Sequence, residues 1–436
     1  MSKHKFGFLS PQPYMEKALK DLRLVDNIEI IETKGWSDSE IDVIVEDCKA
    51  KGVESVAGFA QKDAFHHILI NEKLGLQVPS RLAFLYCMNK YLMRELETNP
   101  NYYDWVDPAT ETNEEIVAKI KEWPFMLKNT SLSLGRGVFR IDDKEGLVKI
   151  LNEYRADDAL QKEIADNYLY YKKGIPEADL PEKIPPFIAE HFMEIDRAIE
   201  YCYEGYITPE GKVMHYALTE EVYFSNHQAL GYITPPISLT NEIAPELEAW
   251  MDDYMGKMSD LGYRNQFFNI EFWITHEGEI TLVEINPRAA HSYHYNYKLT
   301  YDNSLYGDNF RLAAGLPLEK VNPWEKWKNA GDPETYTLIV LITAKETGRA
   351  GDIVDYDYID QEDKNGHIDV VRLTKQEDDV LADADMTSAG VMLMQLWVSG
   401  SRDEVISREI EIRKKVYKHT QKDNDTKYPD YWKPRS

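Results

Sequence analysis

The feature that most constrains this chain is a pair of apolar, strand-like runs, residues 268–275 and 279–285, that carry polar residues inside them. A short turn containing glycine separates the runs, which predicts a β-hairpin. Glu271 interrupts the first run. Glu284 and Asn286 lie on one face of the second, because strand side chains repeat every second residue. The pattern therefore predicts that these three side chains point at one spot.

Two carboxylates and an amide oxygen at one spot need a positive group between them. Mg²⁺ prefers oxygen ligands and commonly bridges carboxylates to phosphate oxygens, with Mn²⁺ as an alternative ion. Arg288 follows Asn286 by two residues, so the same site can also hold an anion. The acids interrupt an apolar pattern and do not form an outer polar row, which argues against a solvated edge hairpin.

An acid on one strand followed by Glu-x-Asn-Pro-Arg on the next resembles the metal-binding end of the ATP-grasp superfamily, and in particular its carboxylate–amine (amino acid) ligases. The matching segments are residues 270–272 and 284–288. The resemblance extends over residues 75–320. It implies ATP and Mg²⁺ as cofactors, with the three oxygen-bearing side chains as metal ligands. It also implies that Arg288 is the catalytic residue, which holds an acylphosphate or an oxyanion.

Two lysines resemble the phosphate-binding lysines of that superfamily. Lys90 opens a helical stretch, although this chain has Asn89 where the family usually has aspartate. Lys128 ends a strand-like run and precedes a Ser/Gly-rich segment, residues 131–137, in which glycine permits the backbone to approach phosphates closely. By itself this segment would be read as an ordinary hairpin loop. No Gly-Lys-Ser/Thr precedes a helix, so the segment is not a P-loop.

The same resemblance implies further nucleotide contacts. Those next to the phosphates are Ser131, Ser133, Gly135, Arg136, Gly137 and Val138, with Arg136 interpreted as a contact to the γ-phosphate. Those next to the base and the ribose are Glu190, His191, Met193 and Asp196, with Glu194 as a further candidate for the ribose. Arg197 stands near the place where the family often has its ribose acid.

The expected fold is an α/β (α+β) ATP-grasp fold in four parts. Strand and helix signals alternate at the N-terminus, which predicts a parallel α/β domain. No Gly-x-Gly-x-x-Gly follows its first strand, so a dinucleotide fingerprint is absent. The expected parts are an N-terminal domain, a first ATP-grasp lobe, a second lobe with the metal site, and a C-terminal lobe with a tail; their bounds are 1–88, 89–188, 189–325 and 326–436.

Composition narrows the function classes. The formal net charge of −26 over 436 residues argues against nucleic acid and against an anionic membrane surface as partners. No apolar run reaches the length of a membrane span, and the N-terminus lacks the apolar region of a signal peptide. Three separated cysteines, Cys48, Cys87 and Cys202, predict buried thiols and a reduced, cytoplasmic setting. A homodimer is left open.

The resemblance implies an ATP-dependent ligase that forms a C–N bond between a small-molecule carboxylate and a small-molecule amine, both amino-acid-like. The reaction would pass through an acylphosphate and release ADP and phosphate. One alternative is a biotin-carboxylase-like enzyme that activates bicarbonate, although no biotin-carrier lysine motif is present. A second is a non-catalytic ATP-binding module, against which the full set of metal-ligand candidates and both lysines argue. A kinase-like transfer to another acceptor also stays open.

Overall fold

The computed structural model describes residues 3–33, 37–59, 61–132, 136–194, 197–223, 229–318, 321–330, 333–386 and 390–419. Within these ranges, no helix is long and apolar enough to cross a membrane. The three cysteines are buried and free, as the sequence predicts.

The N-terminal part is the predicted parallel α/β layer. Its strands lie in the order β2-β1-β3, and both pairings are parallel. Residues 41–45 belong to a helix, which begins at a capping box formed by Ser37 and Glu40. The elements are β1 (Lys5–Leu9), α1 (Glu16–Val25), β2 (Asn27–Ile31), α2 (Asp38–Lys51), β3 (Ser55–Ala57) and α3 (Gln61–Lys73).

A four-stranded antiparallel sheet follows, with the order β4-β7-β5-β6. Residues 144–171 contain two helices, because the Asp157 side chain accepts a hydrogen bond from Leu160 N and starts a second helix. The elements are α4 (Arg81–Met88), α5 (Lys90–Glu95), β4 (Tyr103–Val106), α6 (Asn113–Lys119), β5 (Phe125–Asn129), β6 (Val138–Ile141), α7 (Lys144–Ala156), α8 (Asp158–Tyr171) and β7 (Phe187–His191).

The rest of the chain builds an eight-stranded antiparallel sheet with its covering helices. The elements up to residue 330 are β8 (Ala198–Ile207), β9 (Val213–Tyr223), β10 (Ala229–Thr234), α9 (Ala244–Asp260), β11 (Gln266–Thr275), β12 (Ile280–Asn286), α10 (Tyr293–Tyr301), α11 (Leu305–Ala313) and α12 (Pro323–Ala330). Those beyond it are β13 (Tyr336–Ala344), β14 (Gly348–Arg349), α13 (Ala350–Ile353), α14 (Tyr356–Lys364), β15 (Val370–Leu373), β16 (Val380–Leu381), β17 (Val391–Gly400) and α15 (Arg402–Val416).

The strand order in this sheet is β12-β11-β8-β9-β10-β13-β17-β15. The strands after residue 335 therefore extend the sheet that carries the acidic hairpin. Helix α9 packs its apolar side chains, among them Leu247 and Met251, against the face of β8 and β11. The N-terminal sheet docks through Phe6 and Phe8, whose rings meet Phe310 of α11. These contacts position the N-terminal domain beside the segment that follows the hairpin.

Candidate active site

The predicted acidic hairpin is formed by β11 and β12. Glu271 lies directly opposite Glu284, and Asn269 lies opposite Asn286. Directly opposed residues share one face of an antiparallel pair. Asn286 Nδ2 donates a hydrogen bond to Glu271 Oε1 at 3.3 Å. The structure thus brings together the three side chains that the sequence proposes as metal ligands.

The two carboxylates of this hairpin differ in their electrostatic surroundings. Desolvation and the negative charge of Glu284 raise the pKa of Glu271 well above its ordinary value. Desolvation acts the same way on Glu284, but the positive charges of Lys90, Lys128 and Arg288 together outweigh it and hold the pKa of Glu284 below its ordinary value. Lys90 Nζ lies 3.2 Å from Glu284 Oε2 and donates to Leu132 O at 3.0 Å.

This donor set fits a hard divalent cation, because two facing carboxylates and an amide oxygen are the ligands Mg²⁺ prefers. A cation between Glu271 and Glu284 would also relieve the repulsion that raises the pKa of Glu271. Within the described part of the chain, no group of three or more His, Cys, Asp or Glu side chains is placed to hold a metal ion. Phosphate oxygens and water would therefore have to complete the coordination.

A β-bulge interrupts the strand pairing in the hairpin. Glu271 pairs with Glu284 but Phe272 pairs with Leu282, so Val283 has no partner on β11. Leu282 and Val283 both line a cleft between the two antiparallel sheets, and the Val283 carbonyl accepts a hydrogen bond from Arg94 Nη2 at 2.9 Å.

Lys128 and Glu190 meet on the four-stranded sheet, where the Lys128 ammonium contacts Glu190 Oε1. Arg94 Nη2 lies 3.0 Å from the other carboxylate oxygen, Oε2. Desolvation alone would raise the pKa of Glu190, but the charges of Arg94 and Lys128 hold it below its ordinary value. Glu190 is therefore an ionised, buried carboxylate between two cations.

Arg94 is a site residue that the sequence reasoning missed. It lies four residues after Lys90 on α5, so both side chains share one helix face. The spacing of four residues from Lys90 is the sequence feature that could have identified Arg94. Arg94 Nη1 also lies 3.4 Å from Glu97 Oε1. Desolvation nevertheless raises the pKa of Glu97 to about 7, because it outweighs the attraction of Arg94.

The sequence reasoning also missed acids on the neighbouring strands. Glu204 Oε1 accepts hydrogen bonds from Asn269 Nδ2 at 3.1 Å and from Ala290 N at 2.9 Å, which ties β8 to the segment after Arg288. Desolvation and the charge of Glu221 raise the pKa of Glu200 well above its ordinary value. The alternation Glu-x-Cys-x-Glu along β8 was the signal, since it repeats the pattern that identified Glu271.

The cleft between the two sheets has a volume of about 640 Å³. That size lies within the range of pockets that hold small molecules. Its lining includes five residues that the sequence proposes for nucleotide binding: Lys128, Val138, Glu190, His191 and Met193. The other side is formed by residues of the hairpin, of α5 and of the segment after α5, among them Trp273, Val283, Arg94 and Glu97.

The remaining proposed residues lie in several settings. Ser131 donates through its backbone N to Asn129 Oδ1 at 3.0 Å, and Gly137 O accepts from Asn129 N at 2.7 Å. Arg136 forms two parallel hydrogen bonds with Glu163 of α8 at 2.8 and 2.7 Å, on the surface. Ser133, Gly135 and Asp196 lie outside the described residues.

Two further side chains of the proposed set have defined partners. The His191 ring lies 2.9 Å from Glu122 Oε2, and its backbone N donates to Tyr102 O at 2.9 Å. Arg288 Nη2 donates to Asn286 Oδ1 at 3.3 Å, so its guanidinium lies beside the acid pair.

A family profile described as the ATP-grasp domain matches residues 121–294, which include the cleft and the hairpin. The chain contains an ATP-grasp domain. Its solved structural neighbours share the α/β fold expected from the sequence over nearly the whole chain.

Two of these neighbours show how far the structural similarity extends. The L-amino acid ligase from Bacillus licheniformis has a TM-score of 0.69 at 13% identity, covering 97% of this chain and 100% of that one. The biotin carboxylase domain of the Hydrogenobacter thermophilus 2-oxoglutarate carboxylase, solved with MgADP and bicarbonate, has a TM-score of 0.61 at 15% identity. It covers 95% of this chain and 91% of that one. At these identities the likeness establishes the fold alone.

A curated relative matches by sequence. The phosphoribosylaminoimidazole carboxylase of Ogataea methanolica is 24% identical over 216 residues, which is 49% of this chain. The match spans only 33% of that enzyme's length.

Proposed function

We propose that this protein is an ATP-dependent ligase that joins the carboxylate of one small molecule to the amine of another. The observation that carries the proposal is the shared surroundings of Glu284. Lys90 and Lys128 come from different elements, yet both lower the pKa of Glu284, which faces Glu271. Two lysines beside an acid pair are the components needed to hold a metal-bound triphosphate.

The proposed roles follow from these positions. Glu271, Glu284 and Asn286 hold Mg²⁺, or Mn²⁺ in its place, which supplies charge neutralisation and alignment of the phosphates. Lys90 and Lys128 bind the phosphates. Lys90 contacts Glu284 and Lys128 contacts Glu190. On nucleotide binding, each lysine would exchange a carboxylate oxygen for a phosphate oxygen as its anionic partner.

The base and ribose are assigned to the cleft. Glu190, His191 and Met193 lie along one of its walls, and Val138 lies beside them. Ser131, Ser133, Gly135 and Gly137 are assigned to the phosphates, Arg136 to the γ-phosphate, and Asp196 to the ribose, as the family resemblance implies. For the contact to the γ-phosphate, Arg136 would have to leave its ion pair with Glu163.

The chemistry has two steps. An oxygen of the substrate carboxylate attacks the γ-phosphorus of ATP, and the bond to the β-phosphate oxygen breaks to give ADP and an acylphosphate. The amine nitrogen then attacks the acyl carbon, the carbon–oxygen bond to phosphate breaks, and the nitrogen loses a proton. Arg288 would hold the acylphosphate and the oxyanion of the second step through two parallel hydrogen bonds.

ADP release tests the proposal. The purified chain is incubated with ATP, Mg²⁺ and pairs of L-amino acids, and products are identified by mass spectrometry. ADP release that requires both a carboxylate and an amine, with an amide as product, is the expected result. ADP release that needs only bicarbonate would favour the carboxylase alternative. Nucleotide binding without turnover on any pair would favour the non-catalytic module.

Glu284→Gln should abolish turnover and leave the fold intact, because the amide removes the charge that holds the metal. The matched control is Glu279→Gln, an exposed acid just before the same strand, which should keep full activity. Rates at increasing Mg²⁺ concentration measure the effect. Full activity of the Glu284 variant, or turnover that survives removal of the metal by EDTA, would contradict the metal assignment.

A further inference from the structure

The loop that carries Arg288, residues 286–290, begins at the last residue of β12 and turns sharply. Arg288 N donates a hydrogen bond to Asn286 O at 2.8 Å, which closes a three-residue turn. Arg288 is partly exposed, whereas the other four residues of the loop are buried. A ligand can therefore reach one side chain of this loop, and buried neighbours surround the backbone from which that side chain extends.

Two side chains of neighbouring strands hold this loop. Glu204 of β8 accepts a hydrogen bond through Oε1 from Ala290 N at 2.9 Å. Gln266 of β11 donates a hydrogen bond through Nε2 to Pro287 O at 2.9 Å. The two contacts lie on either side of Arg288 along the chain. They therefore fix both ends of the short backbone stretch that carries its guanidinium group.

Glu204 is also linked to the strand that faces Asn286. Its Oε1 accepts a second hydrogen bond, from Asn269 Nδ2 at 3.1 Å. Asn269 lies between the other two residues, because it pairs with Glu204 across β8 and β11 and with Asn286 across β11 and β12. Arg288 Nη2 donates to Asn286 Oδ1 at 3.3 Å. One carboxyl oxygen thus joins the backbone after Arg288 to the row of side chains that the guanidinium group contacts.

Glu204 is fully buried, so water does not compete for its two hydrogen bonds. Desolvation raises the pKa of Glu204 well above its ordinary value, although the hydrogen bond from Ala290 N and the charge of Arg288 lower it. A neutral carboxyl group still has an acceptor oxygen, so the two contacts of Glu204 do not require its charge. Glutamine has the same shape and an amide oxygen, and can therefore make both contacts.

We propose that Glu204 is a positioning residue for Arg288, which fixes the loop backbone so that the guanidinium group meets the acyl group of the reaction intermediate. The proposal rests on the proposed ligase function and adds to it a residue that touches neither substrate nor nucleotide. Loss of the contact with Ala290 N frees the backbone two residues after Arg288. A displacement of about 1 Å at a reacting group can cost about 100-fold in rate, so turnover should depend on this contact.

Turnover of variants at position 204 tests the proposal. Glu204→Met removes the acceptor oxygen and should lower kcat by about 10- to 100-fold. The KM for ATP should change by less than about 3-fold, because Arg288 is assigned to the acyl group and not to the nucleotide. Glu204→Gln keeps the acceptor oxygen and should bring kcat back to within about 3-fold of the wild-type value.

A double-mutant cycle distinguishes a positioning role from a loss of stability. In the Arg288→Lys background, Glu204→Met should lower kcat by less than about a further 3-fold, because both substitutions remove the same contribution. Rates are expressed per folded molecule, with the folded fraction taken from circular dichroism at the assay temperature. If Glu204→Met does not fold, Gln266→Met takes its place in the cycle with the same expectation, because it removes only the hydrogen bond to Pro287 O.

The matched control is Glu220→Met, which removes another buried acid of the same sheet. Glu220 of β9 accepts hydrogen bonds from Ile237 N at 2.8 Å and Ser238 N at 2.9 Å, so it also holds a loop backbone. It pairs with Tyr201, which points to the other face of β8 from Glu204. This variant should lower the melting temperature and leave kcat per folded molecule unchanged.

A binding assay that needs no turnover separates this inference from the proposed function. Orthovanadate, a mimic of the phosphoryl group in transfer, is titrated by calorimetry into the full chain with Mg²⁺ and ADP. Arg288→Lys and Glu204→Met should each weaken vanadate binding by at least about 10-fold, because each disturbs a charge-assisted hydrogen bond. The double variant should bind no more weakly than the weaker single variant, and Glu220→Met should bind like the wild type.

The outcomes divide as follows. The role of Glu204 is wrong if Glu204→Met matches the wild type, if Glu204→Gln loses as much as Glu204→Met, or if the losses of Glu204→Met and Arg288→Lys multiply. Turnover that follows the cycle supports this role even if vanadate does not bind. Vanadate binding that depends on both residues, with no amide formed from any substrate pair, overturns the ligase function and leaves the positioning role standing. Neither vanadate binding nor turnover in the wild type overturns both.

Discussion

At the scale of single residues, the charges around the site divide its acids into two groups by the direction of their pKa shifts. Glu190 and Glu284 each contact a lysine and have lowered pKa values, whereas Glu271 and Glu200 have raised ones. Glu190 and Glu284 are therefore each paired with a cationic side chain of the protein. A further cation beside Glu271 would favour its charged form, as expected of a metal ligand.

Arg288 provides the first prediction at this scale. Arg288→Lys should keep the fold and nucleotide binding but lose about 10²- to 10³-fold in turnover, since an ammonium group cannot reproduce two parallel hydrogen bonds. Arg311→Lys is the structural comparison. Arg311 Nη2 forms an ion pair with Asp26 Oδ2 at 2.8 Å, and this pair lies away from the acid pair of the hairpin. Thermal melts and ADP-release rates, measured on the same preparations, distinguish a catalytic role of Arg288 from a structural one. A lower melting temperature with preserved turnover in the Arg288 variant would instead show a structural role.

Glu97 provides a prediction about pH. Its pKa of about 7 in the folded protein exceeds the ordinary value of 4.5. Between these values the folded state holds a proton that the unfolded chain has released, so this group's contribution to the free energy of unfolding falls as pH rises from 4.5 through 7. Glu97→Gln removes the titration, so its stability relative to wild type should rise from pH 5 to pH 8.

Urea unfolding at pH 5, 6, 7 and 8 measures this difference. Glu95→Gln is the control, because Glu95 is exposed on the adjoining helix and should show a constant difference from wild type. A relative stability of the Glu97 variant that stays flat or falls with pH would mean that Glu97 is ionised throughout.

At the scale of elements, the short helix α5 is what delivers Lys90 and Arg94 to the site. Asn89 Oδ1 caps it by accepting hydrogen bonds from Tyr91 N at 3.0 Å and Leu92 N at 3.1 Å. Aspartate offers the same acceptor oxygen, so Asn89 can fill the role of the aspartate that the family usually has there.

Asn89→Ala should cost about 1 kcal/mol of stability and raise the KM for ATP, because the cap orients the first turn that carries Lys90. Asn89→Asp should restore both. Asp143→Ala removes a similar cap from α7, where Asp143 Oδ1 accepts from Gly146 N at 2.8 Å, and should lose stability without a change in KM. An unchanged KM in Asn89→Ala would show that α5 holds Lys90 without its cap.

At the scale of the whole molecule, the C-terminal region is fastened to the sheet that carries the site. Arg413 of α15 pairs with the fully buried Glu409 and donates to Leu341 O at 2.8 Å and to Leu230 O at 3.0 Å. These carbonyls belong to β13 and β10, the strands at which the C-terminal part joins the sheet. We therefore expect the two regions to unfold together.

Arg413→Met should destabilise the protein by about 3–5 kcal/mol, because it leaves the Glu409 charge buried without its partner. The double variant Arg413→Met/Glu409→Met should recover much of that loss. The circular dichroism signal of the folded protein and the binding of a fluorescent ATP analogue are followed on one thermal ramp. Both should be lost at the same temperature in each of the two variants. Nucleotide binding that outlasts the first unfolding transition would show that the C-terminal region unfolds alone.

The sequence by itself determined the features that depend on local spacing. The convergence of Glu271, Glu284 and Asn286 follows from a period of two on strands joined by a short turn, and the parallel N-terminal layer follows from alternating strand and helix signals. The ATP-grasp fold itself was inferred from the resemblance those motifs carry.

Only the tertiary structure decided which distant residues join the site. Arg94 meets Val283 and Glu190 across 189 and 96 positions of the chain, and Glu204 meets Ala290 across 86. The bulge at Val283 depends on the register between two strands, which the alternation of one strand does not contain. Such contacts arise from packing between elements that are distant in the chain. The residues that make them do not recur at a regular spacing, so no periodic pattern in the sequence predicts them.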